Sequence, residues 1–255
     1  MDEILLITPH RGFAQLTLNR PAQRNALNTA LLGQLAATLG KLAAEADCRV
    51  VVLNGMGEHF AAGADIGEIE TKTSAEAAHD PRKGHWAAIR AFQKPLIAAV
   101  DGFCLGGGFE LALMADLIVL GITARVGLPE TNLGLVPGAG GGSRLTSLVG
   151  RARAMRLVLG GEIIDAATAE AWGVAAFRAE GPALPMATEL AAKLALRSPL
   201  ALTSAKAAIL AASEGPLAEG LALERQRFEV LLDTSDKAEG IRAFREKRKP
   251  EFRGA

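Results

Sequence analysis

Pro95-Leu-Ile-Ala-Ala-Val100, then Asp101-Gly-Phe-Cys-Leu105, then Gly106-Gly-Gly-Phe-Glu110, is the stretch whose reading decides the fold. Its first six residues have the length and apolar composition of a buried strand. Its last five open a helix that continues through Leu111-Ala-Leu-Met114. Three glycines in a row between strand and helix leave no Cβ where backbone approaches a ligand. They also leave the amides of the first helical turn open to negative charge. Glu110 is the one charged side chain between Asp101 and Asp116. Twenty residues on stands a second carboxylate, Glu130, set by Pro129 after a run of strand character at Ala124–Leu128. A second glycine cluster follows at Pro137-Gly-Ala-Gly-Gly-Gly-Ser143.

Upstream of this centre, Ile4–Thr8 and Gln15–Leu18 predict two short strands joined across Pro9-His-Arg-Gly12. A polar loop, Asn19-Arg-Pro-Ala-Gln-Arg-Asn25, runs into a helix. Leu27, Leu31, Leu35, Leu39, Leu42 and Ala46 form its apolar face. Val50–Leu53 is a buried strand, followed by the small-residue segment Phe60-Ala-Ala-Gly-Ala-Asp-Ile66. Alone, that segment reads as an ordinary tight turn. Residues 70–94 are charged and alanine-rich, a helical excursion bordering a pocket. His85 has no Ser, Cys or metal-ligand partner in the pattern and reads as a packed or solvated side chain.

Downstream, residues 140–149 and 151–159 predict two helices, and Asp165–Trp172 a third, capped by Asp165 and ended at Gly173. Val174–Phe177 is the expected last strand. Beyond Pro182 the chain is wholly helical: Leu184–Leu196, a helix opened by Ser198-Pro199, one carrying Leu217, Leu221 and Phe228, and a last from about Ser235 to Lys247. Its exposed apolar faces suit packing against another subunit. The division expected is 1–182 as a catalytic core and 183–255 as an oligomerisation region.

The 255 residues carry 28 basic and 28 acidic side chains, so no charge excess advertises a nucleic-acid or membrane surface. No apolar run reaches the ~20 residues that span a bilayer. The acidic start, Met1-Asp-Glu, is unlike a signal peptide. The two cysteines, Cys48 and Cys104, have no metal-ligand spacing and read as reduced core thiols, which places the protein in the cytoplasm.

Three segments resemble the enoyl-CoA hydratase (crotonase) family. They are Phe60-Ala-Ala-Gly-Ala-Asp-Ile66, Ala98-Ala-Val-Asp-Gly-Phe-Cys-Leu-Gly-Gly-Gly-Phe-Glu-Leu111, and Gly127-Leu-Pro-Glu130 with Gly134-Leu-Val-Pro-Gly-Ala-Gly-Gly-Gly142. The likeness runs from Leu18-Asn-Arg-Pro21 to Glu246-Lys-Arg-Lys-Pro250. It implies an α/β fold, a spiral of ββα units forming two roughly perpendicular sheets, with terminal helices building trimers, usually paired into hexamers. It also implies that two backbone amides, mapped onto Ala62 and Gly107, hold the oxygen of an acyl-CoA thioester. Glu110 would activate water for attack at C3, and Glu130 would deliver a proton to C2.

The same resemblance places the CoA moiety along Arg24, Ala26, Ala62, Gly63, Ala64, Asp65 and Ile66, and beside Gly106. Phe244 and Lys247 match C-terminal residues that reach CoA, often from a neighbouring subunit. No separate cofactor or metal is implied, because coenzyme A arrives as part of the substrate. Family isomerases commonly keep only the carboxylate equivalent to Glu130, so two glutamates favour a hydratase. Ser198-Pro-Leu-Ala-Leu202 and Leu223-Glu-Arg-Gln-Arg-Phe228 carry a finer likeness to hydratases of bacterial phenylacetate catabolism, whose enoyl-CoA is dicarboxylic. Residues 67–92 are the expected wall of the acyl pocket.

Other readings fare worse. Gly138-Ala-Gly-Gly-Gly-Ser143 fits a dinucleotide fingerprint only with Ser143 in the last small position, and Pro137 breaks the strand it needs. Neither glycine cluster is followed by Gly-Lys-Ser/Thr, so a P-loop fails as well. Some family relatives bind RNA, and the balanced charge disfavours that role here.

Overall fold

The computed structural model describes residues 3–255. It opens with β1 (Leu5–His10) and β2 (Phe13–Leu18), an antiparallel hairpin in register Leu5↔Leu18 to His10↔Phe13. The turn is tighter than the expected Pro9–Gly12: it consists of Arg11 and Gly12, the latter at φ +82°. Pro9 lies within β1, which it can do because β1 is the sheet's edge and the missing N–H breaks no ladder there.

The first long helix, α1 (Thr29–Ala44), starts where the Asn28 side chain accepts the Leu31 amide at 2.9 Å. Leu31, Leu35, Leu39 and Leu42 are its buried face, while Leu27 packs into the core from the preceding loop. At its end the Lys94 ammonium takes the carbonyls of Leu42, Glu45 and Cys48, each at 2.7 Å, a cation where the helix dipole is negative.

Then come β3 (Val50–Gly55), the short helices α2 (Ile66–Ile69) and α3 (Ser74–Ala78), and α4 (Arg82–Arg90). The deciding stretch supplies β4 (Leu96–Val100), β5 (Phe103–Leu105) and α5 (Gly107–Ala112). Next are β6 (Leu117–Leu120), β7 (Arg125–Gly127), α6 (Gly141–Val149), α7 (Arg151–Gly160), β8 (Ile163–Asp165), α8 (Ala166–Ala171) and β9 (Phe177–Arg178). The last strand begins later than expected because Val174 is committed to ending α8. Its amide reaches back to the Ala169 carbonyl at 2.9 Å while Gly173 turns at φ +82°.

The strands form two sheets, one in the order β1-β2-β3-β4-β6-β9 and a smaller one in the order β5-β7-β8. From β2 to β9 the large sheet is parallel and buried on both faces, which is why β3 and β4 are unbroken apolar runs. Alternation splits them: Val51, Leu53, Leu96 and Ala98 join the core on one side, and Val50, Val52, Ile97 and Ala99 the core on the other.

That second face is covered by α9 (Ala183–Ala195), which lays Ala183, Ala187, Ala191 and Ala195 against it at a four-residue spacing. Residue 182 thus falls just before a helix that covers the sheet. Beyond it, α10 (Pro199–Glu214), α11 (Leu217–Leu231) and α12 (Ser235–Arg245) complete the chain. Among the described residues, no single helix is long and apolar enough to cross a membrane.

Candidate active site

The end of β5 and the start of α5 meet the 61–65 segment and the turn after β7 around a cavity of about 400 Å3. Gly106 and Gly108 of the 106–108 run answer steric demands, and Gly107 stands in ordinary contact with Ala64. Gly106 adopts φ +50°, and a Cβ there would lie 3.2 Å from Glu130 Oε1. A Cβ on Gly107 would sit 3.5 Å from the Ala64 nitrogen, and one on Gly108 would overlap the Ala61 carbonyl oxygen at 2.2 Å. Ala61 bridges Cys104, with its amide on the Phe103 carbonyl and its carbonyl accepting the Leu105 amide, both at 3.0 Å.

Along this extended segment successive peptide groups point to alternate sides. That alternation corrects one expectation. The Ala62 amide donates to the Arg24 carbonyl at 2.9 Å and is not open to a ligand. The Gly63 carbonyl and Asp65 amide pair with Leu27 at 2.8 and 3.0 Å. The Ala64 amide therefore points the other way. Neither it nor the Gly107 amide donates to any acceptor among the described residues, and both residues line the cavity.

Glu110, in the first turn of α5, is 4% exposed. Its Oε1 accepts the Ala139 amide at 2.7 Å and the Gly141 amide at 2.9 Å. Gly141 of the second glycine cluster makes room for this contact, since a Cβ there would come within 2.7 Å of Glu110 Cγ. Both contacts are N–H donors, so this carboxyl oxygen serves as acceptor to the two of them. Ala139 and Gly141 are positioning residues that sequence reasoning left unassigned. The glycine cluster itself was their signal.

Glu130 is carried in by β7. Gly127 pairs with Leu105 and takes the Gly106 amide on its carbonyl at 2.9 Å, and two residues later Pro129 turns the chain into a 3-10 turn. Its Oε2 is buried and has no hydrogen-bond partner among the described residues. Burial raises the Glu130 pKa above the ordinary glutamate value, an intraresidue backbone hydrogen bond opposes this, and the Glu110 charge raises it further. Two carboxylates thus face one cavity under unlike conditions. One is fixed by backbone donors and one is held toward its protonated form.

The cavity gathers Ala62, Gly63, Ala64 and Ile66 with Gly106, Gly107 and the two glutamates. Arg24, Ala26 and Asp65 are not in its lining. The Arg24 guanidinium lies 5.8 Å from the centre of the Phe103 ring, and Asp65 pairs with Arg20 at 2.9 Å while capping α2 through the Gly67 amide. Phe244 is 85% exposed, and neither it nor Lys247 lines the cavity of its own chain. The 67–92 wall is present as Ile69, Ala77, Asp80, Arg82, Lys83 and Trp86.

Two amides without an acceptor among the described residues and two unlike carboxylates thus border one cavity. The sequence profile of the enoyl-CoA hydratase/isomerase family matches residues 8–255. The chain is 47% identical over 251 residues, 98% of both chains, to the 2,3-dehydroadipyl-CoA hydratase of Escherichia coli (strain K12). It is 43% identical, again over 98% of both chains, to a probable enoyl-CoA hydratase of Rhizobium meliloti (strain 1021). The crystal structure of an enoyl-CoA hydratase from Bacillus anthracis superposes with a TM-score of 0.93 at 36% identity, covering 99% of this chain and 100% of that one. The chain belongs to the enoyl-CoA hydratase/isomerase family and has the crotonase fold. Within it, the chain is an enzyme of the hydratase kind, a lyase.

Proposed function

We propose that the protein adds water across the 2,3 double bond of a trans-2-enoyl-CoA to give the 3-hydroxyacyl-CoA. The amides of Ala64 and Gly107 form the oxyanion hole for the thioester oxygen. Attack of water at C3 pushes an electron pair through C2 onto that oxygen, giving an enolate whose charge the two amides meet. Donors in place before the charge develops lower the barrier, and loss of one costs about 10²–10³ in rate. Glu110, as the carboxylate, takes a proton from the attacking water. Glu130, as the acid, gives one to C2. The observation that carries this assignment is the contrast between them, two backbone amides on Glu110 Oε1 and an unpartnered, buried oxygen on Glu130.

Crotonyl-CoA is the simplest substrate for the test. Glu110→Gln and Glu130→Gln should each lower hydration by about 10²–10⁴ while leaving the Kd for a CoA thioester within a few-fold. Full turnover by either variant would remove that residue from the chemistry. Two functional carboxylates favour hydration over double-bond isomerisation, which needs only one.

For the physiological acyl chain, the 47%-identical relative's name supports a six-carbon dicarboxylic enoyl-CoA. We place the enzyme accordingly in aromatic-acid catabolism of the phenylacetate type, with fatty-acid β-oxidation as the second setting. Cys48 and Cys104, both free and buried, suit a reducing cytoplasm. The CoA moiety lies along Arg24, Ala26 and the Ala62–Ile66 segment, completed by Phe244 and Lys247 of an adjoining copy in a trimer or hexamer.

A further inference from the structure

We propose that Lys83, with Arg82 beside it, recognises a carboxylate at the far end of the acyl chain, so that the α3–α4 turn selects ω-carboxylated enoyl-CoAs. This rests on the hydratase reading above and names the residue that sets its substrate class. Most of the cavity wall around this turn is apolar, from Leu32, Ile66, Ile69 and Trp86. Into it the turn brings three charged residues, Asp80, Arg82 and Lys83.

Asp80 is already spoken for. Its side chain is 6% exposed, Arg82 pairs with it at 2.9 Å, and Lys72 closes on the same oxygen. Burial works against its ionisation, but hydrogen bonds from Arg82 and Lys72 win and hold it well below the usual carboxylate range. Asp80 thus takes two of the nearby cations, Lys72 and Arg82, while Glu76 is turned to the Thr73 cap. Lys83 is the cation without a counter-ion. Among the described residues it makes no ion pair, and its Nζ donates only to the Ala78 carbonyl at 3.0 Å.

A long hydrocarbon tail laid against this wall would strip water from those ions with nothing in return. A chain ending in a carboxylate returns a charge-assisted hydrogen bond and gives Lys83 its counter-ion. Selectivity then comes from a charge-assisted contact that a substrate lacking the terminal carboxylate cannot make.

The test compares kcat/KM for crotonyl-CoA and 2,3-dehydroadipyl-CoA in the wild type, Lys83→Met and Lys83→Glu. Lys83→Met should lower the ratio of dicarboxylic to crotonyl kcat/KM by about tenfold or more, with crotonyl-CoA turnover nearly unchanged. Lys83→Glu should lower the ratio further, by repulsion. An unchanged ratio in both variants would overturn the assignment, as would equal losses on both substrates, which would put Lys83 on the shared CoA portion. Wild-type enzyme that hydrates crotonyl-CoA but not the dicarboxylic thioester would also overturn it while leaving the hydratase reading intact. Failure of the wild type on every enoyl-CoA would remove both.

Discussion

Glu130 holds a buried carboxyl oxygen with no hydrogen-bond partner among the described residues, close to a second carboxylate that two amides hold in place. Such an orphan is costly in the resting protein and useful when substrate or water arrives. Because its folded pKa is raised, its contribution to stability is fully present below the ordinary glutamate pKa and is lost as pH rises through the folded value. Glu130→Gln, which cannot ionise, should therefore gain stability relative to wild type as pH rises from acid to neutral. Urea midpoints of both proteins across that range check this, and a constant difference would contradict it. Glu110→Gln removes a repelling charge, so the Glu130 pKa, followed by carboxyl NMR, should fall in that variant. Both glutamates and the glycines before Glu110 were legible in the sequence, since spacing and composition suffice to flag them. The choice between Ala62 and Ala64 was not. It depends on which side of an extended segment faces Arg24 and Leu27, and those pairings bring together residues nearly forty positions apart.

At the scale of elements, the helices were the more readable, because caps such as Asp165 and Ser198 and the four-residue apolar spacing are local signals. The short strands were not. Neither Phe103–Leu105 nor Ile163–Asp165 is assigned a strand from sequence, and each becomes one only by pairing with β7. The alanine stripe of α9 carries a prediction of its own. Those four small side chains set how closely the helix lies on β3, β4 and β6. Ala187→Leu should cost about 1–3 kcal/mol by overpacking, read from equilibrium urea unfolding, with crotonyl-CoA KM little changed in the folded fraction. A neutral effect on stability would mean that this contact is looser than it looks.

Over the whole molecule, β3, β4 and the alanine face of α9 are buried, while the terminal helices leave many apolar residues uncovered. Leu217, Leu221, Phe228 and Val230 on α11 are each more than half exposed, as is Ile209 on α10. That face is what the proposed oligomer would cover. Sedimentation equilibrium should give the mass of three or six chains, and a monomer at micromolar concentration would contradict the oligomer and leave Phe244 and Lys247 without a site to complete.

The most direct test of the central claim is a crystal structure with a bound, non-hydratable acyl-CoA thioester. The thioester oxygen should lie about 2.7–3.1 Å from both the Ala64 and Gly107 nitrogens, with Glu110 and Glu130 on either side of C2 and C3. A thioester oxygen bound elsewhere, with those two amides facing solvent, would contradict it.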